Sequence, residues 1–250
     1  MVARARRALG TRRVGHAGTL DPFATGLLIL LAGRATRLAR HFAALPKTYE
    51  AVALLGATSS TGDPEGEIVQ TGVVPDTLVL PLGTIRQRPP AHSAVRIDGE
   101  RAYARARRGE AVETAEREVT VFESSVRWRD RDRVGLRFVC SSGTYVRSLV
   151  TDLGDAYCLE LRRLAIGPFE ADSAWPGEGV AALETIADAW ARFGATVTLE
   201  SAEVAAAEHG RPLPARGTAG AVLLLDGAGE AIAVASERGG ALRVEVGLRG

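Results

Sequence analysis

Between Val134 and Tyr157 the hydrophobic period of the chain changes. Val134, Leu136, Phe138 and Cys140 alternate with polar or small residues, the pattern of a half-buried strand. Ser141–Thr144 reads as a turn. Val146, Leu149, Val150, Leu153 and Tyr157 then recur at helical offsets, so one face of a helix is buried there. A strand leading straight into a helix means that the chain mixes α and β elements. The neighbouring segments fit. The arginine-rich stretch to about Gly15 is compatible with a helix. Ala35, Leu38, Ala39 and Phe42 predict a helix over Arg34–Leu45, and Thr48–Gly56 reads as a strand followed by a polar turn over Thr58–Gly66. Arg86–Glu118 reads as a surface excursion with a short helix around Ala102–Arg108, and Val119–Val121 and Val126–Trp128 as strand pieces.

The 250 residues suffice for one large domain with a small appendage. The texture changes at Trp175–Gly179, where Pro176, Gly177 and Gly179 crowd together. Beyond about Thr196 short apolar runs dominate: Ala221–Leu225, Ala231–Ala235, and the alternating Leu242, Val244, Val246 and Leu248, with glycine-rich turns between them. The expectation is a larger domain over 1–180 and a β-rich one over 190–250.

The formal net charge is only +1, so a polyanion partner would have to be met by local clusters. Three exist: Arg4, Arg6, Arg7, Arg12 and Arg13; Arg101, Arg105, Arg107 and Arg108; and Arg162 with Arg163. On charge alone, a solvated face and a phosphate-gripping face are both open. Cys140 and Cys158 form no CxxC pair, which predicts neither a zinc site nor a disulfide framework. The apolar run Leu27–Ala32 is too short to cross a bilayer. No signal peptide is evident, so the cytoplasm is the default compartment.

One segment is dense in chemistry: Gly15-His16-Ala17-Gly18-Thr19-Leu20-Asp21-Pro22-Phe23-Ala24-Thr25-Gly26-Leu27-Leu28. Taken alone, Asp21-Pro22 suits the start of a helix, because Asp is a preferred cap and Pro fits the first turn. His16 alone is an unremarkable loop histidine. His16 and Asp21 lack a third candidate ligand at a diagnostic spacing, which argues against a metal.

The whole segment resembles the catalytic motif of the TruB-type tRNA pseudouridine synthases, Gly-His-x-Gly-x-Leu-Asp-Pro-x-Ala-x-Gly-Leu-Leu. Further stretches are similar to that family in the same order: Lys47-Thr48-Tyr49-Glu50-Ala51; the acidic turn Thr58–Gly66 with Asp63; Pro89–Gly99; Ser141–Leu149; and Leu161-Arg162-Arg163-Leu164. The likeness is strong over about residues 10–170 and weak beyond.

The resemblance implies a mixed, mainly antiparallel sheet with flanking helices, an RNA-clasping insertion at about 86–118, and a PUA-like domain at the C-terminus. It implies isomerisation of uridine 55 in the T arm of tRNA, by a monomer, with no metal or organic cofactor. Asp21 is then the essential carboxylate, acting as a nucleophile or by assisting elimination through a glycal. Arg147 is its partner, which keeps it charged and oriented. Tyr49 stacks on the target base, Tyr145 lines the pocket, and Leu161 closes an apolar wall. His16 fills the space left by flipped nucleotides; Gly18 and Leu20 belong to the same binding segment. Arg96, Arg101 and Arg105 clasp the RNA.

The sequence departs from the family in three places. No strand and Lys-Pro-x-Gly turn precede the arginine-rich helix. The connector Gly154–Glu160 is short. His92 stands where an aromatic residue is common. These departures leave a second expectation, a catalytically impaired tRNA-binding homologue. A third is an α/β domain unrelated to RNA.

Overall fold

The computed structural model of the chain describes residues 1–90, 96, 97, 99–101, 105, 108, 110, 114–179 and 182–249, with backbone alone for Arg96, Ile97 and Arg101. Its contacts divide into two compact units. One comprises Met1–Ala17, Leu30–His41 and Trp175–Gly250, and the other Gly18–Ile29 and Phe42–Ala174. The strands in chain order are β1 (Val14–Ala17), β2 (Thr25–Gly26), β3 (Ile29–Ala32), β4 (Lys47–Leu55), β5 (Ala57–Ser59), β6 (Ile68–Gln70), β7 (Gly83–Gln87), β8 (Arg96–Ile97), β9 (Glu100–Arg101), β10 (Arg117–Asp130), β11 (Arg133–Cys140), β12 (Ala156–Ile166), β13 (Phe169–Glu170), β14 (Ala195–Thr198), β15 (Leu213–Pro214), β16 (Ala221–Leu225), β17 (Ala231–Arg238) and β18 (Ala241–Gly247). Among the described residues the α-helices are α1 (Val2–Ala8), α2 (Ala39–Ala44), α3 (Val146–Thr151), α4 (Ile186–Ala191) and α5 (Ser201–Glu208).

The second unit is built on a sheet of order β13-β12-β4-β11-β10-β7, with β2 added in parallel to β12. The other neighbours on this path are antiparallel, as expected. Strand β4 carries Lys47, Tyr49, Ala51, Ala53 and Leu55 to the buried face and Glu50 to solvent, a strict period of two. Strand β11 does the same with Val134, Leu136, Phe138 and Cys140. Apart from Lys47, the buried residues named on the two strands join Val146, Leu149 and Val150 of α3, and Ala156, Cys158 and Leu161 of β12, in one core. Complete burial of a Leu or Val side chain contributes about 1.5–3 kcal/mol.

Strand β12 carries two register shifts against β4, at Cys158/Glu160 and Arg163/Ala165. Each bulge reverses the alternation. Cys158, Leu161, Arg163 and Ile166 are therefore all buried despite their uneven spacing, while Glu160 and Arg162 are exposed.

The first unit has its own sheet, β14-β16-β17-β18-β15, over a core that includes Leu199, Val222, Leu224, Ile232, Ala233 and Leu242. Two helices absent from the sequence reading accompany these strands. Helix α4 starts at Thr185, whose hydroxyl accepts from the Asp188 N–H, and α5 starts with a reciprocal capping box between Glu200 and Glu203.

Other differences from expectation are local. The helix expected over Arg34–Leu45 is a 3-10 helix over Gly33–Leu38 that continues as α2. The helix expected to reach Tyr157 stops at Thr151. Gly154 has φ 119°, which glycine alone adopts readily, and the chain turns there into β12, so Tyr157 is a buried strand residue. The pieces Val119–Val121 and Val126–Trp128 belong to one long strand, β10. The expected helix at Ala102–Arg108 falls mostly, and His92 wholly, outside the described residues.

Lys47 occupies a buried position on β4 and donates to the carbonyls of Ala43 and Leu45. Burial, reinforced by the Arg163 charge, lowers its pKa to about 8. The unfolded chain therefore binds this proton more tightly than the folded one, and stability rises with pH between about 8 and 10.5. The wild type should gain about 2 kcal/mol more than Lys47→Met between pH 7.5 and 9.5 in urea unfolding. Equal gains in the two proteins would refute the assignment.

Candidate active site

Asp21 does not start a helix. The Ala24 N–H donates to the Asp21 carbonyl at 3.0 Å, closing a turn that delivers the chain into β2. Thr25 and Gly26 then pair with Arg162 and Arg163 of β12, and Gly26 has φ 102°. A Cβ at Gly26 would lie 2.2 Å from the Arg163 carbonyl oxygen, so no larger residue fits this seam. The turn is thereby set against the sheet.

Arg147 lies in the first turn of α3 and is 2% exposed. The start of that helix is fixed by Gln87. Its side-chain amide donates to the Tyr145 carbonyl at 3.0 Å, and its oxygen accepts the Tyr145 N–H at 2.8 Å. From this base Arg147 grips Asp21 bidentately, Nε to Oδ2 at 2.9 Å and Nη2 to Oδ1 at 2.9 Å. Nη1 donates to the Thr61 carbonyl at 2.9 Å and to Asp63 Oδ2 at 2.8 Å.

Asp63 is the member of this cluster that the sequence reading placed in an acidic turn but not in the site. Its Oδ1 accepts from the Thr61 hydroxyl at 2.6 Å and the Glu65 N–H at 3.0 Å. An Asp that bonds the backbone two residues on shapes its own turn, and this one also holds Arg147. The two carboxylates differ in exposure: 5% of the Asp63 side chain is accessible and 22% of Asp21. Asp63 is a buttress, and Asp21 is the oxygen pair with access to solvent.

Tyr49 is 8% exposed and stands in register between Phe138 of β11 and Arg163 of β12. Burial pushes its hydroxyl pKa up, and the Arg163 charge draws it partly back. The phenol is neutral across the physiological range. Leu161 is buried in the core and also lines a cavity of about 770 Å³ with Phe23, Thr25, Glu50 and Trp128. That cavity opens on the Glu50 side of β4, away from the buried Tyr49 ring. Tyr145 packs its ring beneath Arg117, whose Cζ is 5.0 Å from the ring centroid.

The remaining expected residues are more scattered. Gly18, with φ 90°, and the half-buried Leu20 lead into the Asp21 turn. His16 is exposed on β1, in the other compact unit. Arg96 and Arg101 face each other in the β8–β9 hairpin register, with side chains outside the described residues. Arg105 forms an ion pair with Glu110 at 3.0 Å. The Arg162–Arg163 cluster is split: Arg162 is exposed, but Arg163 is 1% exposed and unavailable to phosphate. Cys140 and Cys158 are free and buried, and burial raises both thiol pKa values, that of Cys140 to about 11. Among the described residues no three His, Cys, Asp or Glu side chains cluster as metal ligands, and no helix is long and apolar enough to cross a membrane.

The structure thus clamps a carboxylate with a buried guanidinium beside a mainly antiparallel sheet. Comparison with known proteins gives the family. Residues 6–146 match the TruB family pseudouridylate synthase (N terminal domain). The chain is 41% identical over 265 residues to tRNA pseudouridine synthase B of Thermobifida fusca (strain YX), covering 96% of this chain and 90% of that protein. It is 40% identical over 269 residues to the protein of that name from Mycobacterium leprae (strain TN), covering 96% and 83%. Two solved structures share the fold: an H/ACA RNP bound to a substrate RNA containing 2'-deoxyuridine (TM-score 0.67, 21% identity, 100% of this chain and 80% of that one) and a Cbf5-Nop10-Gar1 complex (TM-score 0.66, 22% identity, 99% and 80%). The chain belongs to the TruB family of pseudouridine synthases. The matches run along nearly the whole chain and carry an enzyme's name, so the expectation of an impaired homologue is not supported, nor is that of a domain unrelated to RNA.

Removing one partner of a buried ion pair typically costs 3–5 kcal/mol, because the other charge is left without compensation. Asp63→Ala should destabilise the protein by about 3 kcal/mol or more in urea unfolding, and Asp21→Ala by less than half as much, since Asp21 keeps contact with water. Equal losses would contradict the division into a buttress and an accessible carboxylate.

Proposed function

We propose that the protein isomerises uridine 55 in the T arm of tRNA to pseudouridine, with Asp21 as the essential carboxylate. The observation that carries the reading is the bidentate Arg147–Asp21 pair, which fixes both carboxylate oxygens and leaves one side of Asp21 accessible. The reaction breaks the bond from ribose C1′ to N1 of uracil, joins C1′ to C5, moves a proton from C5 and places one on N1. Nothing is oxidised and no group is gained from solution, so a carboxylate at C1′ and a recess that retains the detached base meet its demands. Nucleophilic attack and glycal formation are both compatible with this arrangement.

The target lies within a folded RNA arm and must be everted, at a cost of a few kcal/mol. In this reading Leu161, which shares a core with Tyr49, gives the base an apolar wall, and Tyr49 and Tyr145 line the same pocket. His16 occupies the space of displaced nucleotides, with Gly18 and Leu20 shaping the same segment. The insertion with Arg96, Arg101 and Arg105 grips phosphates. Residues 1–180 form the catalytic domain. The five-stranded sheet of the C-terminal part supports assigning residues 190–250 as a PUA-like extension of the RNA surface.

Asp21→Asn keeps the size of the side chain and one of its two bonds to Arg147. On an unmodified tRNA transcript it should lower pseudouridine formation at least about a thousandfold while binding tRNA within about threefold of wild type. Conversion at the wild-type rate would reject the assignment. The logarithm of the wild-type affinity should fall linearly with log salt concentration, with a slope of about 0.7–0.9 per phosphate contacted. Salt-independent binding would remove the phosphate-gripping role of the arginines.

A further inference from the structure

The turn that carries Asp21 is closed at its neck by a single side chain that the reaction itself does not use. Arg163 donates from Nε to the Leu27 carbonyl at 2.7 Å and from Nη1 to the Thr19 carbonyl at 3.1 Å. Asp21 lies between those residues in sequence, so one planar guanidinium spans both ends of the segment 19–27. The backbone of Arg163 joins in. Its carbonyl accepts the Leu27 N–H at 2.9 Å, and it packs against Gly26 too closely for any Cβ. Across the sheet Arg163 is the register partner of Tyr49.

Burying a guanidinium costs several kcal/mol unless its surroundings repay it. Here the named acceptors are neutral carbonyls, the guanidinium also meets the neutral Tyr49 hydroxyl, and among the described residues Nη2 has no geometrically regular hydrogen bond and no carboxylate pairs with the group. An aliphatic side chain would fill the same space at lower cost. What an aliphatic chain cannot do is hold two carbonyls at a fixed separation. We propose that Arg163 is a positioning residue: its guanidinium pins the segment 19–27 to β12 so that Asp21 meets Arg147 in one orientation, in line with Tyr49. This rests on the reading of Asp21 as the essential carboxylate. Lysine is a poor substitute, because its ammonium is a point charge on a flexible stem rather than a rigid fork.

The test uses the full chain, an unmodified tRNA transcript, and the variants Arg163→Lys, Arg163→Met and Asp21→Asn. Single-turnover rate at saturating enzyme, tRNA affinity, and folded fraction by near-ultraviolet circular dichroism are read for each. Arg163→Lys should fold and bind tRNA within about threefold of wild type, yet react at least about tenfold more slowly. Arg163→Met should lose about a hundredfold per folded molecule, the scale of a displacement of about 1 Å at a catalytic group. A Lys variant that reacts within about threefold of wild type overturns the proposal. So does a Met variant whose loss equals its unfolded fraction, and so does a Lys variant that cannot fold, since the guanidinium would then serve the sheet as a whole. If Asp21→Asn still reacts, the reading of the site fails and this inference with it. If Asp21→Asn is silent while Arg163→Lys matches wild type, only the role of Arg163 fails.

Discussion

The guanidinium of Arg147 is the point on which the site depends. It is almost completely buried, and it joins three segments far apart in sequence: the Asp21 turn, the Thr61–Asp63 loop and the start of α3. A bidentate pair restricts both distance and plane, so Asp21 is not merely near an arginine but oriented by it. Asp63 matters for the same reason. With Oδ2 on Nη1 and Oδ1 bonded into its own turn, it prevents the guanidinium from swinging toward Asp21 and away from the fold.

The sheet makes this arrangement possible by irregularity. Leu161 and Arg163, two residues apart, share one face of β12, and the bulges at Cys158/Glu160 and Arg163/Ala165 bring Cys158 and Ile166 to that same buried side, so that an apolar wall and a buried cation lie together beside the Asp21 turn. Gly26 permits close approach of that turn. Buried polar groups then gather along paired strands, the cations Lys47 and Arg163 with the neutral Tyr49 phenol. The core bears this cost beside the site, where geometry is worth more than stability.

Much of the fold was legible because it follows from period. The strict alternations of β4 and β11 and the switch to helical spacing at Val146 announced a sheet backed by a helix, and the long segment around Asp21 announced the family. The pairing of Asp21 with Arg147 followed from motif resemblance and was found. Other features had no local signature. Leu153 and Tyr157 kept helical spacing beyond the helix end, because Gly154 ends it through backbone conformation rather than through hydrophobic pattern. Arg162 and Arg163 are identical in type and adjacent, and a one-residue bulge earlier in the strand decides which one is inside. Asp63 reads as a turn residue, which it is; its second role depends on an arginine that is 84 positions away.

The proposed chemistry needs an accessible carboxylate, held by Arg147, to face the sugar of an everted uridine. The most direct measurement is a crystal structure of the protein with a T-arm stem-loop that carries an unreactive uridine analogue. The account predicts the analogue out of its stack, an Asp21 oxygen about 3–3.5 Å from C1′, and the bidentate bonds to Arg147 intact. An analogue still stacked within the RNA loop, or bound with Asp21 turned away from its sugar, would contradict it.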